Sequence, residues 1–241
     1  MVHTRMSALG WVIGGSETVV RALLDVLGPD GTLMAYASWA EHVYHADDWP
    51  PEHRAAYLAD PPVFDPATGE IDRDYGRIPE RVRTWPGAVR SSHPEASVVA
   101  VGARADWICS PHPDDDGYGA GSPFARLVEA GGSVLMLGAP LDTVTLLHHA
   151  ESIADVPDKR RVTFTVRVGD TDRTYTDIDT SRGAFPYESL DLGDDEFAVI
   201  AREALEAGIG VRGMVGSGDS VLFPALELVR FAVGWMEKRF G

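Results

Sequence analysis

The chain has 241 residues, 44% of them hydrophobic and 24% charged, enough for one globular domain with a substantial core. Its 37 acidic residues against 21 basic ones give a formal net charge of −16. That balance excludes nucleic acid, whose phosphates demand a basic face, and leaves two uses for the charge: steering a cationic ligand, or a solubilising surface. No apolar run is long enough to span a bilayer and no signal peptide opens the chain, so neither a membrane partner nor export is expected, and the expected compartment is the cytoplasm.

In chain order, Gly14-Gly15-Ser16 precedes an amphipathic helix over Glu17–Leu27 with Val19, Leu23, Leu24 and Leu27 as its core stripe. Gly28-Pro29-Asp30-Gly31 ends that helix, and a strand follows over Thr32–Ala37. Residues 40–80 read as a polar, proline-punctuated insertion of helix and loop that covers a cleft. Val98–Val101 and Ser133–Leu137 read as short buried strands, and Ser122–Ala130 as a helix entered through Ser-Pro. Cys109, the single cysteine, excludes an intramolecular disulfide and reads as a small buried hydrophobe. Val162–Val168 alternates as a half-buried strand, turns at Gly169-Asp170-Thr171-Asp172 and returns over Arg173–Ile178. Asp195–Ala207 and Ala225–Lys238 are the last two helices. The expected fold is α/β, a single domain over 1–241 with a mixed central sheet, helices on its faces and a β-hairpin excursion.

Leu137 to Glu151 is the most informative stretch: a buried strand, a turn, then a helix with histidines near its start. On a helical wheel Leu146, Leu147, Ala150, Ile153 and Ala154 form one apolar arc. His148 falls opposite, with Glu151 three residues on along a polar face, and His149 borders the arc. Open α/β sheets place their chemistry at the carboxyl ends of strands, and a helix start disfavours the imidazolium, so His148 is a candidate base. By itself the same pattern also describes a capping or hydrogen-bonded histidine. Asp177 and Asp179 alternate at a strand end and share a face, as acceptors for ammonium groups or, through Thr180 and Ser181, as turn formers. His42, His45 and His53 with Asp47 and Asp48 fit no standard zinc spacing and read as a solvated loop; no metal is expected.

Several blocks resemble one family. They are Val2-His3-Thr4-Arg5-Met6-Ser7-Ala8-Leu9-Gly10 with Gly14-Gly15; Gly31 to Trp39; Phe64-Asp65-Pro66-Ala67-Thr68; Arg83-Thr84-Trp85-Pro86; Ser91 to Ser97; Gly117 to Pro123; Thr145 to Glu151; and Asp177-Ile178-Asp179-Thr180. In this order they resemble the aminoglycoside 3-N-acetyltransferase family over nearly the whole chain. The resemblance implies direct transfer of acetyl from acetyl-CoA to the 3-amine of a 2-deoxystreptamine antibiotic, conferring resistance. It implies His148 as general base, with Glu151 either orienting it or facing solvent. Asp179 and Asp177 would accept substrate amines. Tyr36, Trp39 and Glu41 would border the antibiotic, core packing being the other reading of the two aromatics.

His3, Thr4, Arg5, Met6 and Ser7, with Gly121, Ser122 and Phe124 of the glycine-rich segment, would hold coenzyme A. Arg5 departs from the family pattern, where a small residue is common, and either adds a phosphate contact or crowds the loop. His93 carries no chemistry beyond a structural hydrogen bond. Family members usually carry a helix and most of a strand before the His3 motif, about thirty residues, so the expectation is either an upstream extension or a short form that has lost an edge helix. Two other activities stay open: acetylation of a different amine by the same scaffold, and a non-catalytic acidic module that binds polyamines.

Overall fold

The computed structural model describes residues 1–241 apart from His42 and His45. The first half of the chain runs β1 (Val2–Thr4), α1 (Gly15–Leu27), β2 (Thr32–Tyr36), α2 (Pro51–Ala59), β3 (Val63–Phe64), α3 (Arg77–Arg83), β4 (Val89–Arg90), β5 (Val98–Gly102) and α4 (Ala105–Cys109). The second half runs α5 (Pro123–Glu129), β6 (Ser133–Leu137), α6 (Leu146–Ile153), β7 (Arg161–Val168), β8 (Thr171–Ile178), α7 (Glu196–Glu206), β9 (Val211–Val215), β10 (Gly218–Pro224) and α8 (Ala225–Phe240).

Seven strands form the main sheet in the order β4-β5-β2-β1-β6-β10-β9. The central three, β2-β1-β6, are parallel, with Val2 opposite Ala35 on one side and Leu135 on the other. The other pairings within this sheet are antiparallel. Alternation along the strands feeds two cores, one on each face of the sheet. Met34, Val98, Ala100, Val134 and Met136 meet residues of α5 to α8, whereas Leu33, Ala35, Val99, Val101 and Leu137 meet α1 and α3. Both faces are therefore covered.

The hairpin excursion is a separate three-stranded sheet, β3-β7-β8, because β3 of the insertion pairs parallel to β7. Phe164 and Val166 point into a third small core with Trp39, Val43, Phe64 and Tyr175, while Thr163 faces Thr176 and Thr165 faces Thr174 on the outer side. The insertion and the hairpin thus form one unit beside the main sheet. The β9–β10 hairpin has no counterpart in the sequence reading: all five residues of Val211–Val215 are exposed, so the edge strand carries no inside–outside alternation.

Candidate functional site

The carboxyl ends of β1, β2 and β6 open side by side into a cleft of about 1060 Å³. Crossovers leave β1 toward β2 on one side, and β6 lies on the other, so the cleft sits where the sheet's winding reverses. His3 and Thr4 end β1 and Arg5 to Ser7 follow it, Tyr36 ends β2, and Ala139, Pro140, Asp142 and Thr143 follow β6; all line the cleft. His148 enters from the first turn of α6.

The His148 ring is packed between Tyr118 and Phe197, with centroids 5.2 and 4.7 Å away. Its Nδ1 stands 2.6 Å from Oε2 of Glu151. A carboxylate there accepts the Nδ1 proton, which leaves the Nε2 lone pair as the basic site. Glu151 is completely buried rather than on a polar helix face. Its Oε1 accepts the Tyr187 hydroxyl at 2.9 Å and the Ala184 amide at 3.3 Å. Burial and the Glu151 carboxylate both raise the Tyr187 pKa, so the phenol remains a donor. His149 turns away from the cleft. Its Nδ1 donates to the Tyr118 carbonyl at 2.7 Å, and burial lowers its pKa, keeping it neutral.

Opposite the histidine, Glu95 lines the cleft although it is only 5% exposed. Its carboxylate accepts from the Ser38 hydroxyl and the Val43 amide, both at 3.3 Å. Tyr44, Trp49, Asp72, Thr180 and Ser181 share that wall. A wall of carboxylates, hydroxyls and aromatic faces suits a polycationic ligand. On the β1 side, burial drives the His3 imidazole down to about 3, with the N-terminal charge adding to it, and its Nε2 and the Thr4 Oγ1 are buried with no partner among the described residues.

A family model described as aminoglycoside 3-N-acetyltransferase matches residues 1–237. The chain belongs to that family. It is 51% identical to aminoglycoside N(3)-acetyltransferase VIII of Streptomyces fradiae, an alignment covering all of this chain and 86% of the relative. Among solved structures it superposes on aminoglycoside acetyltransferase AAC(3)-Xa with a TM-score of 0.94 at 50% identity, over all of this chain and 87% of the other. A binary complex of AAC-IIIb with CoASH matches with a TM-score of 0.89 at 44% identity, over all of this chain and 90% of that one.

Within this aminoglycoside 3-N-acetyltransferase scaffold the expected site residues divide. His148, Tyr36 and the five residues His3 to Ser7 line the cleft. Asp177 does not; it is fully buried, accepting from the Gly117 amide at 2.6 Å and the Tyr44 hydroxyl at 3.4 Å. The His93 Nε2 stands 3.1 Å from the same carboxylate. Asp177 is therefore an anchor between β8 and the glycine-rich segment, not an exposed amine acceptor. Asp179 lies just behind the cleft, and its Oδ1 accepts the Ser181 amide and hydroxyl and the Arg182 amide, so it shapes the turn that presents Thr180 and Ser181. Trp39 is core, packed on Phe64, and Glu41 is exposed away from the cleft.

Gly121, Ser122 and Phe124 do not line the cleft. Ser122 caps α5 through the Ala125 amide, and Phe124 is buried and stacked on Tyr118. The glycines of this segment answer to packing instead. A Cβ on Gly117 would sit 2.8 Å from the His93 ring, and one on Gly119 would collide with the Asp116 carboxylate. What the segment contributes is Tyr118, which flanks His148 with its ring, and whose hydroxyl lies 2.8 Å from that of Tyr36. Cys109 is buried as expected, and burial pushes its thiol up to about 12. His42 and His45 lie outside the described residues, and among those described no three potential ligands are grouped to hold a metal.

Glu95 was missed because Ser91 to Ser97 has neither helical nor strand periodicity around it. Asp72 and Asp74, which also line the cleft, stand in the long polar insertion with no local pattern that separates them from its other carboxylates. The signal available in retrospect is an acidic residue flanked by small or apolar ones, Pro94-Glu95-Ala96, a composition that buries its charge.

Proposed function

We propose that this chain binds acetyl-CoA and an aminoglycoside together in the cleft and transfers acetyl directly to the antibiotic's 3-amine, with His148 as general base. The observation that carries this reading is the His148–Glu151 pair, 2.6 Å apart at the carboxyl end of the parallel strands in a scaffold of this family. The Nε2 of His148 takes the proton from the attacking amine, and Glu151 holds the ring in the tautomer that leaves that nitrogen free. Bound acetyl-CoA supplies an activated thioester carbonyl, so an amine held in place needs no covalent enzyme intermediate.

Glu95, Asp72 and the Thr180–Ser181 turn receive the ammonium and hydroxyl groups of the antibiotic, with Asp179 positioning the turn. His3 to Ser7 receive the pantetheine arm, whose amides suit the partnerless His3 Nε2 and Thr4 Oγ1. Residues 40–80 supply much of the acceptor wall within one catalytic domain, and the reaction takes place in the cytoplasm, where acetyl-CoA is formed. Release of free thiol from acetyl-CoA in the presence of kanamycin- and gentamicin-like compounds tests the reading. Thiol release with these antibiotics, and mass spectra showing a single added acetyl at the 3-amine, are expected. Release only with other amines, or antibiotic binding without release, overturns it.

A further inference from the structure

Tyr118 stands between α4 and α5 in a stretch outside any helix or strand, so no ladder of backbone bonds fixes it. Buried side chains do so instead. Of the four polar backbone groups from Gly117 to Tyr118, three each meet a buried ionisable residue. The Gly117 amide donates to Asp177 Oδ1 at 2.6 Å, and His112 Nε2 donates to the Gly117 carbonyl at 2.8 Å. The Tyr118 carbonyl accepts from His149 Nδ1 at 2.7 Å. Burial keeps both histidines neutral, so each has one ring proton to give, and the Ser91 hydroxyl satisfies His112 Nδ1 at 2.9 Å. The Tyr118 ring itself stacks on Phe124, and its hydroxyl lies 2.8 Å from that of Tyr36. Burying three ionisable groups costs free energy, and what they secure here is the place of one ring.

That ring is one side of the slot around His148. The other side is Phe197, in the first turn of α7, whose amide is held by the Asp195 cap at 2.9 Å. Phe197 is only 6% exposed, yet it lines the cleft. The two rings meet the imidazole at 58° and 60°. Glu151 bonds Nδ1 alone. One hydrogen bond fixes where Nδ1 points but leaves the imidazole plane free to roll about that bond, which would swing Nε2 away from an attacking amine. A ring on each side leaves no room for the roll.

We infer that Tyr118 and Phe197 are positioning residues that fix the plane of the His148 imidazole, and that the buried network around Gly117 exists to hold Tyr118 in that slot. The inference rests on the reading of His148 as base and deepens it. Tyr118 has several independent holds, so loss of any one of them lowers stability before it lowers rate. Loss of a ring from the slot acts on the direction of Nε2, and therefore on kcat rather than on either KM.

Steady-state kinetics and melting curves on Tyr118→Phe, Tyr118→Leu, Phe197→Tyr and Phe197→Leu test this. Either leucine variant is expected to lower kcat about tenfold or more, as a displaced reacting group does, with both KM values within about twofold. The variants that keep a ring, Tyr118→Phe and Phe197→Tyr, are expected to retain kcat within about twofold. A second readout is the low-field proton resonance of His148 Nδ1, assigned by its loss in His148→Ala. It persists in the ring-keeping variants and broadens in the leucine ones. Should Tyr118→Leu fail to fold, Phe197→Leu carries the test from the cleft side. Unchanged kcat in a folded leucine variant, an equal loss in the ring-keeping variants, or a loss confined to KM or melting temperature overturns the assignment. Near-normal turnover in His148→Ala would instead count against His148 as base, and the resonance would still decide whether the two rings hold it.

Discussion

Nδ1 of His148 and Oε2 of Glu151 lie 2.6 Å apart across one turn of α6, the ring partly open to the cleft and the carboxylate wholly enclosed. This pairing joins two links that sequence spacing alone keeps apart. The i, i+3 geometry brings the side chains together, and the segment from Ala184 to Tyr187 closes over the carboxylate so that it has fixed partners. A buried carboxylate held on several sides cannot swing away, and so it fixes the imidazole's tautomer and its direction.

His148→Ala lowers kcat by about a hundredfold or more, the usual span for removal of a general base, and leaves acetyl-CoA affinity nearly unchanged. His149→Ala does not show this pattern, because its ring is hydrogen-bonded to the Tyr118 carbonyl and turned from the cleft. Its effect falls on melting temperature. Steady-state kinetics and thermal melts on both variants check the contrast; near-normal turnover in His148→Ala would remove it from the mechanism.

Glu151→Gln keeps the shape and removes the charge that holds the Nδ1 proton, and kcat falls by roughly a hundredfold with little change in either KM. Tyr187→Phe leaves Glu151 in place but removes one of its donors. A hydrogen bond to a charged group is worth about 1.5–3 kcal/mol, so this variant melts lower and loses a smaller part of kcat. Urea titration and thiol-release rates on the two variants separate the chemical loss from the structural one. If Glu151→Gln retains full kcat, the carboxylate has no part in orienting the base.

Glu95→Gln raises the KM for aminoglycosides about tenfold or more without a matching change for acetyl-CoA, since one charge-assisted contact is lost from the acceptor wall. Asp177→Asn gives the opposite signature. It weakens the contacts to Gly117 and Tyr44 in the interior, so stability falls while the KM of surviving folded enzyme changes little. Asp179→Asn falls between them, through the Thr180–Ser181 turn. Paired kinetics and melts on all three decide the ranking; an antibiotic KM moved by Asp177→Asn and not by Glu95→Gln would reverse these roles.

Acid lowers stability through buried neutral histidines. Burial, helped by the neighbouring His93, brings the pKa of His112 down to about 3 from 6.5, and burial brings His3 to a similar value. Above pH 6.5 neither the folded nor the unfolded chain protonates these rings, and their contribution to stability is complete. Below it the unfolded chain takes up protons that the folded chain refuses, and stability falls until about pH 3, each ring adding up to about 1.4 kcal/mol per pH unit. Urea midpoints measured from neutral to acid pH should therefore decline, and His112→Asn should flatten the slope. A flat profile for the wild type would contradict the burial of these rings.

Much of the scaffold was legible because its signals are local. The Ser122-Pro123 helix start, the Gly28-Pro29-Asp30-Gly31 stop and the alternation in Val162–Val168 each depend on a few adjacent residues, and each appears where expected. The division of labour among carboxylates was not legible, because burial is set by distant parts of the chain. Asp177 and Asp179 look alike two residues apart, yet Gly117 closes over one and the Ser181 turn forms on the other. The packing of the glycine-rich segment was illegible for a related reason. Its glycines make room for His93 and Asp116, partners 24 and 3 residues away in sequence from Gly117 and Gly119 respectively, and nothing nearby announces the first of these contacts.

The third small core, built from Trp39, Val43, Phe64, Phe164, Val166 and Tyr175, gives the insertion and hairpin an interior of their own. Tyr44, Trp49, Thr180 and Ser181 reach the cleft from this unit, whereas His3 to Ser7 hang from the main sheet. Two walls on separate foundations can change at different rates. Substitutions that widen, narrow or recharge the insertion wall leave the β1 loop and α6 undisturbed, so antibiotic preference can drift across descendants of this scaffold while the handling of the acyl donor stays constant.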